Sequence, residues 1–340
     1  MSTAPDTTQA ERSSPKRARS EPQSSAESTD AFERSELDLP GINRFLGPVR
    51  ACTVLLGFLA LTLPGMPVQW LLVRYAPKAA RNFPHWYHRR VCALLGIRLH
   101  IEGSVTKNAP VLLVSNHVSW LDIPVLSAVA PLSFIAKREV GTWPFVSSLA
   151  RLQQTIFIDR TKRADIPKVT AQMHERFSGG GAIVLFGEGT SSDGNRVLPF
   201  KSSLMAIFGG GKITGSVSEA PSTSSQSAAP SASTPQVQTL SVVYTHVHGV
   251  PLGRADRNLI GWYGDMEMGS HAWQLLKAGP IDVTITISPP VSIEGFEDRK
   301  ALTRHTEKLV RENVVKTLRG RGSKPDHKAL ENKFPEINQT

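Results

Sequence analysis

Residues 51–73 form an uncharged run of 23 residues, and this run constrains the chain more than any other feature. Arg50 precedes the run and Arg74 follows it. About 20 apolar residues are enough to cross the hydrocarbon core of a bilayer. The run starts too far along the chain to be a signal peptide. The sequence therefore predicts an N-terminal membrane-embedded helical segment.

Pro64, Gly65 and Pro67 interrupt the run near its middle. Proline inside a helix removes a backbone hydrogen bond and bends the helix. Two arrangements remain open on this basis. One is a kinked helix that spans the bilayer, and the other is a helical hairpin that turns at residues 63–67 and stays in one leaflet.

Charge is distributed unevenly along the chain. Residues 41–100 contain eight Lys or Arg and no Asp or Glu, whereas residues 1–40 carry a net charge of −3. Such a bias indicates an anionic surface, and we expect a lipid bilayer rather than a nucleic acid; a merely soluble basic surface is the alternative. More positive charge follows the apolar run than precedes it, which predicts that the downstream domain faces the cytoplasm.

Composition divides the chain into four parts. Residues 1–40 are polar and predict a disordered tail, residues 41–100 form the membrane-associated basic helical segment, and residues 321–340 form a polar tail. Residues 101–320 predict an α/β domain, with a flexible Ser-rich insertion at residues 216–238. Two cysteines are too few for a disulfide framework or a four-cysteine zinc site, and we expect no metal site.

Six short apolar runs predict strands within the α/β domain. Helical patterns lie between some of them: Val169, Met173 and Phe177 recur at helical intervals, as do Leu302, Val310 and Val314 in a late helix. Strands that alternate with helices predict a mostly parallel sheet with flanking helices. The predicted strands are residues 110–115, 133–136, 155–158, 182–186, 240–246 and 282–288.

The first polar block, residues 115–122, follows a predicted strand and begins a helix. Its His117 and Asp122 are five positions apart, which is about 140° on an ideal helix, so they would not meet if both were helical. If His117 lies in the turn before the helix, Asp122 can reach back and orient its imidazole. His117 is then a candidate general base near neutral pH.

Two further polar blocks end two other predicted strands. Residues 157–160 read Phe-Ile-Asp-Arg, and residues 186–190 read Phe-Gly-Glu-Gly-Thr. Ligands of open α/β sheets bind beyond the carboxyl ends of the strands, so the three blocks are expected to converge on one crevice. Arg160 supplies a planar cationic donor, and Glu188 lies between two glycines that allow close approach of a ligand.

The three blocks in this order resemble the glycerolipid acyltransferase family, over roughly residues 90–295. The resemblance implies that His117 is the base and Asp122 its partner. It implies that the remaining block residues bind the acceptor, and that the co-substrate is acyl-ACP or acyl-CoA, with no other cofactor. The implied substrate-binding residues are Asn116, Arg160, Glu188, Gly189, Thr190, Arg196 and Lys201.

The third block departs from the usual family sequence Phe-Pro-Glu-Gly-Thr-Arg. Gly187 replaces the proline, and Ser191 replaces an arginine that would help to hold a phosphate. The continuation through Lys201 resembles the lyso-ornithine lipid acyltransferase subgroup, which implies a phosphorus-free acceptor and a bacterial inner (cytoplasmic) membrane. The alternative is a 1-acyl-sn-glycerol-3-phosphate acyltransferase in which Arg196 or Lys201 replaces the missing cation.

The expected reaction is acyl transfer from a thioester to a lysolipid hydroxyl. His117 removes the hydroxyl proton, and because a thioester is already activated no serine nucleophile is required. Backbone N–H groups at the helix start after His117 are expected to bind the oxyanion. A non-catalytic membrane lipid-binding protein is the competing class, and it would tolerate loss of the histidine or the aspartate that this chain keeps.

Overall fold

The computed structural model describes residues 42–107, 109–159, 166–178, 181–205 and 236–320. The predicted N-terminal tail, most of the Ser-rich insertion and the C-terminal polar tail lie outside these residues.

Two helices of the membrane-associated segment form a hairpin. α1 runs from Ile42–Tyr75 and α2 from Pro77–Leu95, with Ala76 between them. Pro64 and Pro67 lie inside α1, so the chain does not turn at residues 63–67, as one of the two open arrangements had it, and it reverses at Ala76 instead. Pro77 begins α2, where the N–H that proline lacks needs no partner.

The α/β domain follows the predicted alternation of strands and helices. Its short 3₁₀ turns are Arg138–Thr142, Asp256–Leu259 and Ile293–Gly295. Its strands are β1 (Ile97–Glu102), β2 (Val111–Ser115), β3 (Leu132–Lys137), β4 (Ile156–Ile158), β5 (Ala182–Phe186), β6 (Gln236–Val247), β7 (Val250–Pro251), β8 (Ile281–Ile287) and β9 (Val291–Ser292). Its helices are α3 (Asp122–Ser127), α4 (Val146–Leu152), α5 (Ile166–Ser178), α6 (Ser202–Met205), α7 (Met268–Ala278) and α8 (Arg299–Leu318).

The sheet is mixed but mostly parallel. Its strand order over the described residues is β1-β8-β6-β2-β5-β3-β4, with β7 and β9 paired to β6. β6, β2, β5, β3 and β4 run in one direction, whereas β8 and β1 run in the other. This confirms the predicted α/β fold with flanking helices. All six predicted strands are present.

Two element boundaries differ from the sequence prediction. β1 begins at Ile97, inside the segment assigned to the membrane, and it pairs with β8 along its whole length. β6 begins at Gln236, so the last three residues of the predicted 216–238 insertion belong to a strand. Gly96 separates α2 from β1 with a φ of +74°, a left-handed conformation that glycine adopts without strain.

Apolar side chains cover both faces of the sheet. One core lies under α2, α3 and α7 and contains Leu113, Leu121 and Leu275. The other lies under α5 and α8, and it contains the predicted helix residues Val169, Met173, Phe177, Leu302, Val310 and Val314. Because both faces of the sheet are covered, side chains of the sheet can meet a ligand only at its edges and at the ends of its strands. The carboxyl ends of β2 and β5 are such a place.

Candidate active site

The first block folds as a turn between β2 and α3. β2 ends at Ser115 and α3 begins at Asp122, so His117 lies before the helix. His117 Nδ1 and Asp122 Oδ2 are 2.7 Å apart. The structure therefore brings the two side chains together, as expected if His117 lies in the turn before the helix.

Four donors surround the carboxylate of Asp122, which is fully buried. Its Oδ2 accepts from His117 Nδ1 and from the backbone N–H groups of Val118 (2.7 Å) and Ser119 (3.1 Å). Its Oδ1 accepts from the Tyr244 hydroxyl at 2.7 Å. Because an ionised carboxylate can only accept hydrogen bonds, Nδ1 of the imidazole carries the proton and donates, and Nε2 carries the lone pair.

The same contacts correct one expectation. The N–H groups of Val118 and Ser119 point at Asp122, so they are not available as the oxyanion donors expected after His117. The side chain of Ser119 is also fully buried, which removes it as a nucleophile in this conformation. The turn therefore uses its backbone donors to fix the His–Asp pair.

The ring of His117 packs on an aromatic side chain, and the backbone of His117 is held by the third block. It stacks on Phe186 with ring centroids 3.9 Å apart, and 19% of its side chain is exposed. The chain after the third block fixes the turn through its backbone, because the Ser192 N–H donates to the His117 carbonyl at 3.0 Å. The imidazole is thus oriented by packing as well as by Asp122, and part of the side chain reaches solvent.

The structure gives Asn116 a different contact from the acceptor binding that the resemblance implies. Its Nδ2 donates to the Val242 carbonyl and its Oδ1 accepts from the Val242 N–H, both at 2.9 Å. Asn116 is buried, and these bonds tie the turn to β6. Asn116 therefore holds the turn against β6.

The first and third blocks lie side by side. β2 and β5 are parallel neighbours, with Ser115 opposite Phe186, so both blocks leave the sheet at the same edge. The second block ends β4, the outer strand, beyond β3. Its Asp159 pairs with Arg138 at 3.8 Å, whereas Arg160 lies outside the described residues.

Glu188 is a buried carboxyl group next to the His–Asp pair. Only 1% of it is exposed, and its Oε1 accepts from the His117 N–H at 3.2 Å. Its Oε2 makes no hydrogen bond of ordinary geometry in the described part of the chain. Burial raises the pKa of Glu188 to about 8, against the lowering effect of the backbone N–H groups of His117 and Leu198.

Close packing explains why Gly187 stands where the family usually has a proline. A Cβ at Gly187 would lie 2.5 Å from the ring of Phe200, which is buried against it. Gly189 has a φ of +71°, which glycine adopts readily. The two glycines let the third block turn tightly while Glu188 points inward and Thr190 stays exposed.

Arg196 and Lys201 are exposed residues of the segment that follows the third block. The Lys201 N–H donates to the Gly187 carbonyl at 2.8 Å, so the lysine backbone lies directly beside the block. Within the described residues, no three His, Cys, Asp or Glu side chains cluster as a metal site would require.

Comparison with known proteins finds a matching family and several relatives. Residues 96–214 match the family description "Acyltransferase". A lyso-ornithine lipid O-acyltransferase of Brucella abortus is 40% identical over 276 residues, which is 81% of this chain and 98% of that protein. The enzyme of the same name from Rhizobium meliloti is 36% identical over 80% of this chain and 88% of its own length.

The chain belongs to the glycerolipid acyltransferase family. It is accordingly an enzyme that transfers acyl groups. The match to a 1-acyl-sn-glycerol-3-phosphate acyltransferase of Neisseria meningitidis is shorter, at 39% identity over 37% of this chain and 50% of that protein.

A solved structure shares the fold. The crystal structure of the 1-acyl-sn-glycerophosphate acyltransferase of Thermotoga maritima superposes with a TM-score of 0.57. The match covers 83% of this chain and 100% of that chain at 21% identity. This likeness confirms the α/β acyltransferase fold.

Proposed function

We propose that this enzyme is a membrane-bound O-acyltransferase that moves a fatty acyl group from a thioester to the hydroxyl of lyso-ornithine lipid. The observation that carries the proposal is the His117–Asp122 pair at the carboxyl edge of the sheet. Identity of 40% to the Brucella abortus enzyme over nearly all of that protein's length supports the acceptor.

The proposed chemistry follows from the orientation of His117. Nδ1 donates to Asp122, so Nε2 accepts the proton of the acceptor hydroxyl as its oxygen attacks the thioester carbonyl. The tetrahedral intermediate then collapses, the carbon–sulfur bond breaks, and the thiolate takes the proton from Nε2. The donor is the thioester of acyl carrier protein or of coenzyme A, which present the same reactive bond.

The third block supports a phosphorus-free acceptor. Ser191 stands where an arginine in related enzymes would help to hold a phosphate, and a serine hydroxyl offers no charge to a phosphate. A zwitterionic acceptor such as lyso-ornithine lipid needs no such clamp. Arg196 and Lys201 are the nearby cations that could serve lysophosphatidic acid instead.

The contacts of α1 support placement in one leaflet. Arg50 donates to the carbonyls of Leu276 and Leu95, and Gln69 donates to the carbonyls of Ala80 and Leu152. Arg50 and Gln69 are about 28 Å apart along the helix axis, close to the thickness of the hydrocarbon core.

The α/β domain thus contacts α1 near both ends of the apolar run. A helix that crossed the bilayer would place those two contacts on opposite membrane faces. We infer that α1 lies along the domain in the plane of the membrane.

Exposed apolar side chains on the hairpin provide the membrane contact. α1 is long and apolar enough to cross a bilayer by length and composition, yet only 17% of its apolar window is buried. The basic residues that follow it fit anionic headgroups on the cytoplasmic face of a bacterial inner membrane. Within the apolar run and on α2, these exposed apolar residues are Leu55, Leu56, Leu63, Val68, Trp70, Leu71, Val73 and Trp86.

A panel of lysolipids tests the acceptor. Purified enzyme in mixed micelles receives lyso-ornithine lipid, lysophosphatidic acid or another lysophospholipid, each with the same labelled acyl thioester. We expect labelled product from lyso-ornithine lipid and little from lysophosphatidic acid. The Ser191→Arg variant, which restores the missing cation, should gain activity with lysophosphatidic acid.

Two results would contradict the proposed acceptor. The first is exclusive use of lysophosphatidic acid by the unmodified enzyme, which would make it a phospholipid enzyme whose cation comes from Arg196 or Lys201. The second is activity with no lysolipid from protein that is shown to be folded, which would favour the non-catalytic class.

A further inference from the structure

A tyrosine from β6 completes the surroundings of the His–Asp pair. The Tyr244 hydroxyl donates to Asp122 Oδ1 at 2.7 Å, and the tyrosine is 2% exposed. The other carboxylate oxygen, Oδ2, already receives His117 and two backbone N–H groups. Oδ1 has no other hydrogen-bond donor in the described part of the chain.

The strand carries an irregularity at this point. Tyr244 lies opposite Val283 of β8, but His246 lies opposite Asp282, so Thr245 is an extra residue in β6. An inserted residue of this kind bends a strand and redirects the neighbouring side chain. Bulges are common beside active sites for this reason.

A half-buried cation, Arg257, holds the bulge in place. Arg257 Nη1 donates to the Tyr244 carbonyl at 2.9 Å and Nη2 to the Leu252 carbonyl at 3.3 Å. The Leu252 N–H in turn donates to the Thr245 carbonyl at 2.8 Å. The tyrosine is therefore fixed at its backbone and at its hydroxyl, with the ring buried between.

The hydroxyl keeps its proton under all ordinary conditions. Burial raises the pKa of Tyr244 well above 10, and the nearby charge of Asp122 raises it further. A phenol that stays protonated is a permanent donor, so it constrains the carboxylate in one rotamer throughout turnover.

We propose that Tyr244 is a positioning residue, which acts through Asp122 to hold the His117 imidazole in its reactive orientation. This inference rests on the catalytic roles proposed for His117 and Asp122. Tyr244 itself does not contact the substrate in this arrangement. Without its hydroxyl, Asp122 loses the donor on Oδ1 and can turn away from the imidazole.

Removal of the hydroxyl tests the inference. Tyr244→Phe should lower kcat by about tenfold or more, since a hydrogen bond to a charged group is lost, while the KM for the lysolipid stays within about twofold. Tyr263→Phe is the matched control, because it also loses one hydroxyl hydrogen bond, to Asn258 at 2.8 Å. The control should keep the wild-type kcat.

A double-mutant cycle separates positioning from a general loss of structure. If Tyr244 acts through Asp122, the Tyr244→Phe change should have almost no further effect on the residual rate of an Asp122→Asn enzyme. An equal loss of rate in both backgrounds would overturn the inference, as would an unchanged kcat in Tyr244→Phe. Thermal unfolding checks that each variant is folded.

Two further variants keep the inference distinct from the proposed function. His117→Ala with wild-type turnover would reject the catalytic pair itself, whereas an inactive His117→Ala beside a fully active Tyr244→Phe would reject only the tyrosine. If Tyr244→Phe fails to fold, Arg257→Gln loosens the tyrosine backbone and leaves the hydroxyl in place. It should then lower kcat with little change in KM, and an unchanged kcat would contradict the inference.

Discussion

Two buried carboxyl groups lie beside His117, and their surroundings differ. Asp122 accepts four hydrogen bonds, whereas Glu188 accepts one of ordinary geometry within the described residues. The first environment fixes a carboxylate in place, and the second raises the pKa of Glu188 to about 8 by burial. In enzymes, two neighbouring acidic side chains often have different roles because their surroundings differ. That Glu188 binds the acceptor, as the family resemblance implies, stays a prediction.

The raised pKa of Glu188 predicts a pH dependence of stability. Between its ordinary pKa of 4.5 and about 8, the folded state holds a proton that the unfolded state has lost. The free energy of unfolding therefore falls as the pH rises through this window. Glu188→Gln has no such proton to lose, so from about pH 5 to 9 its melting temperature should fall less than that of the wild-type enzyme.

An exposed glutamate provides the control for this prediction. Glu312→Gln removes a charge from a surface pair with Lys308 at 4.0 Å, and its melting temperature should follow that of the wild-type enzyme across the pH range. If wild-type and Glu188→Gln curves remain parallel from about pH 5 to 9, Glu188 is not the buried proton-binding group described here.

At the residue scale, the sequence predicted the His117–Asp122 pair but not the residues that hold the pair in place. The spacing of His117 and Asp122 allowed the pair only if His117 lay in the turn before the helix, and the other polar blocks together with the family resemblance led us to expect it. Tyr244 carries no signal of its own, because it contacts Asp122 from a position 122 residues away through a bulge that no local pattern encodes. The same holds for Asn116, whose partner on β6 is set by the strand order.

At the scale of elements, burial explains which features the sequence revealed. The six predicted strands are apolar runs, and the central ones are buried along their length, as with β2 and β5. β1 was missed because it is an outer strand with two exposed positions, Arg98 and Ile101, and it follows the basic helix α2 without a polar linker. Only its pairing with β8 identifies it as part of the domain.

The prolines of α1 show that local helix preferences do not decide where this helix ends. Pro64 and Pro67 weaken a helix but do not determine where the chain reverses, and α1 continues through both. Packing against α2 and the α/β domain outweighs the lost backbone bonds. Arg50 and Gln69 are polar side chains of α1 that bond to carbonyls of α2 and the α/β domain, and they lie near the ends of the apolar run. The sequence alone gave no reason to assign them a role.

Cysteine labelling tests the placement of α1. Cysteines replace Leu46 or Tyr75, both exposed, in a chain whose natural Cys52 and Cys92 are changed to serine. A membrane-impermeant maleimide is then added to sealed vesicles of known orientation. Because α1 contacts the domain near both ends of its apolar run, we expect both positions to react from the face that carries the α/β domain.

Labelling of the two positions from opposite faces would contradict placement in one leaflet and favour a spanning helix. Retained acyl transfer in each labelled variant serves as the control, since it shows that the substitutions leave the fold intact.

At the scale of the whole molecule, membrane contact and catalysis lie on one compact body. α1 packs on α2, α4 and α7, so the apolar hairpin and the sheet that carries His117 are parts of the same unit. A lysolipid in the leaflet can reach the site without leaving the membrane if the strand ends face it. The formal net charge of +10 favours contact of this body with anionic lipid headgroups.

The central claim is that His117 is the general base of acyl transfer. The most direct measurement is incorporation of a labelled acyl group into lyso-ornithine lipid by membranes that contain His117→Ala, with His100→Ala as the matched control. His100 also pairs with an aspartate, Asp282 at 3.2 Å, but on β1 and outside the site. Removal of a general base costs about 10²–10⁴-fold in rate, so His117→Ala should lose incorporation to that extent while it stays bound to the membrane. His100→Ala should incorporate at the wild-type rate, and wild-type incorporation by His117→Ala would contradict the account.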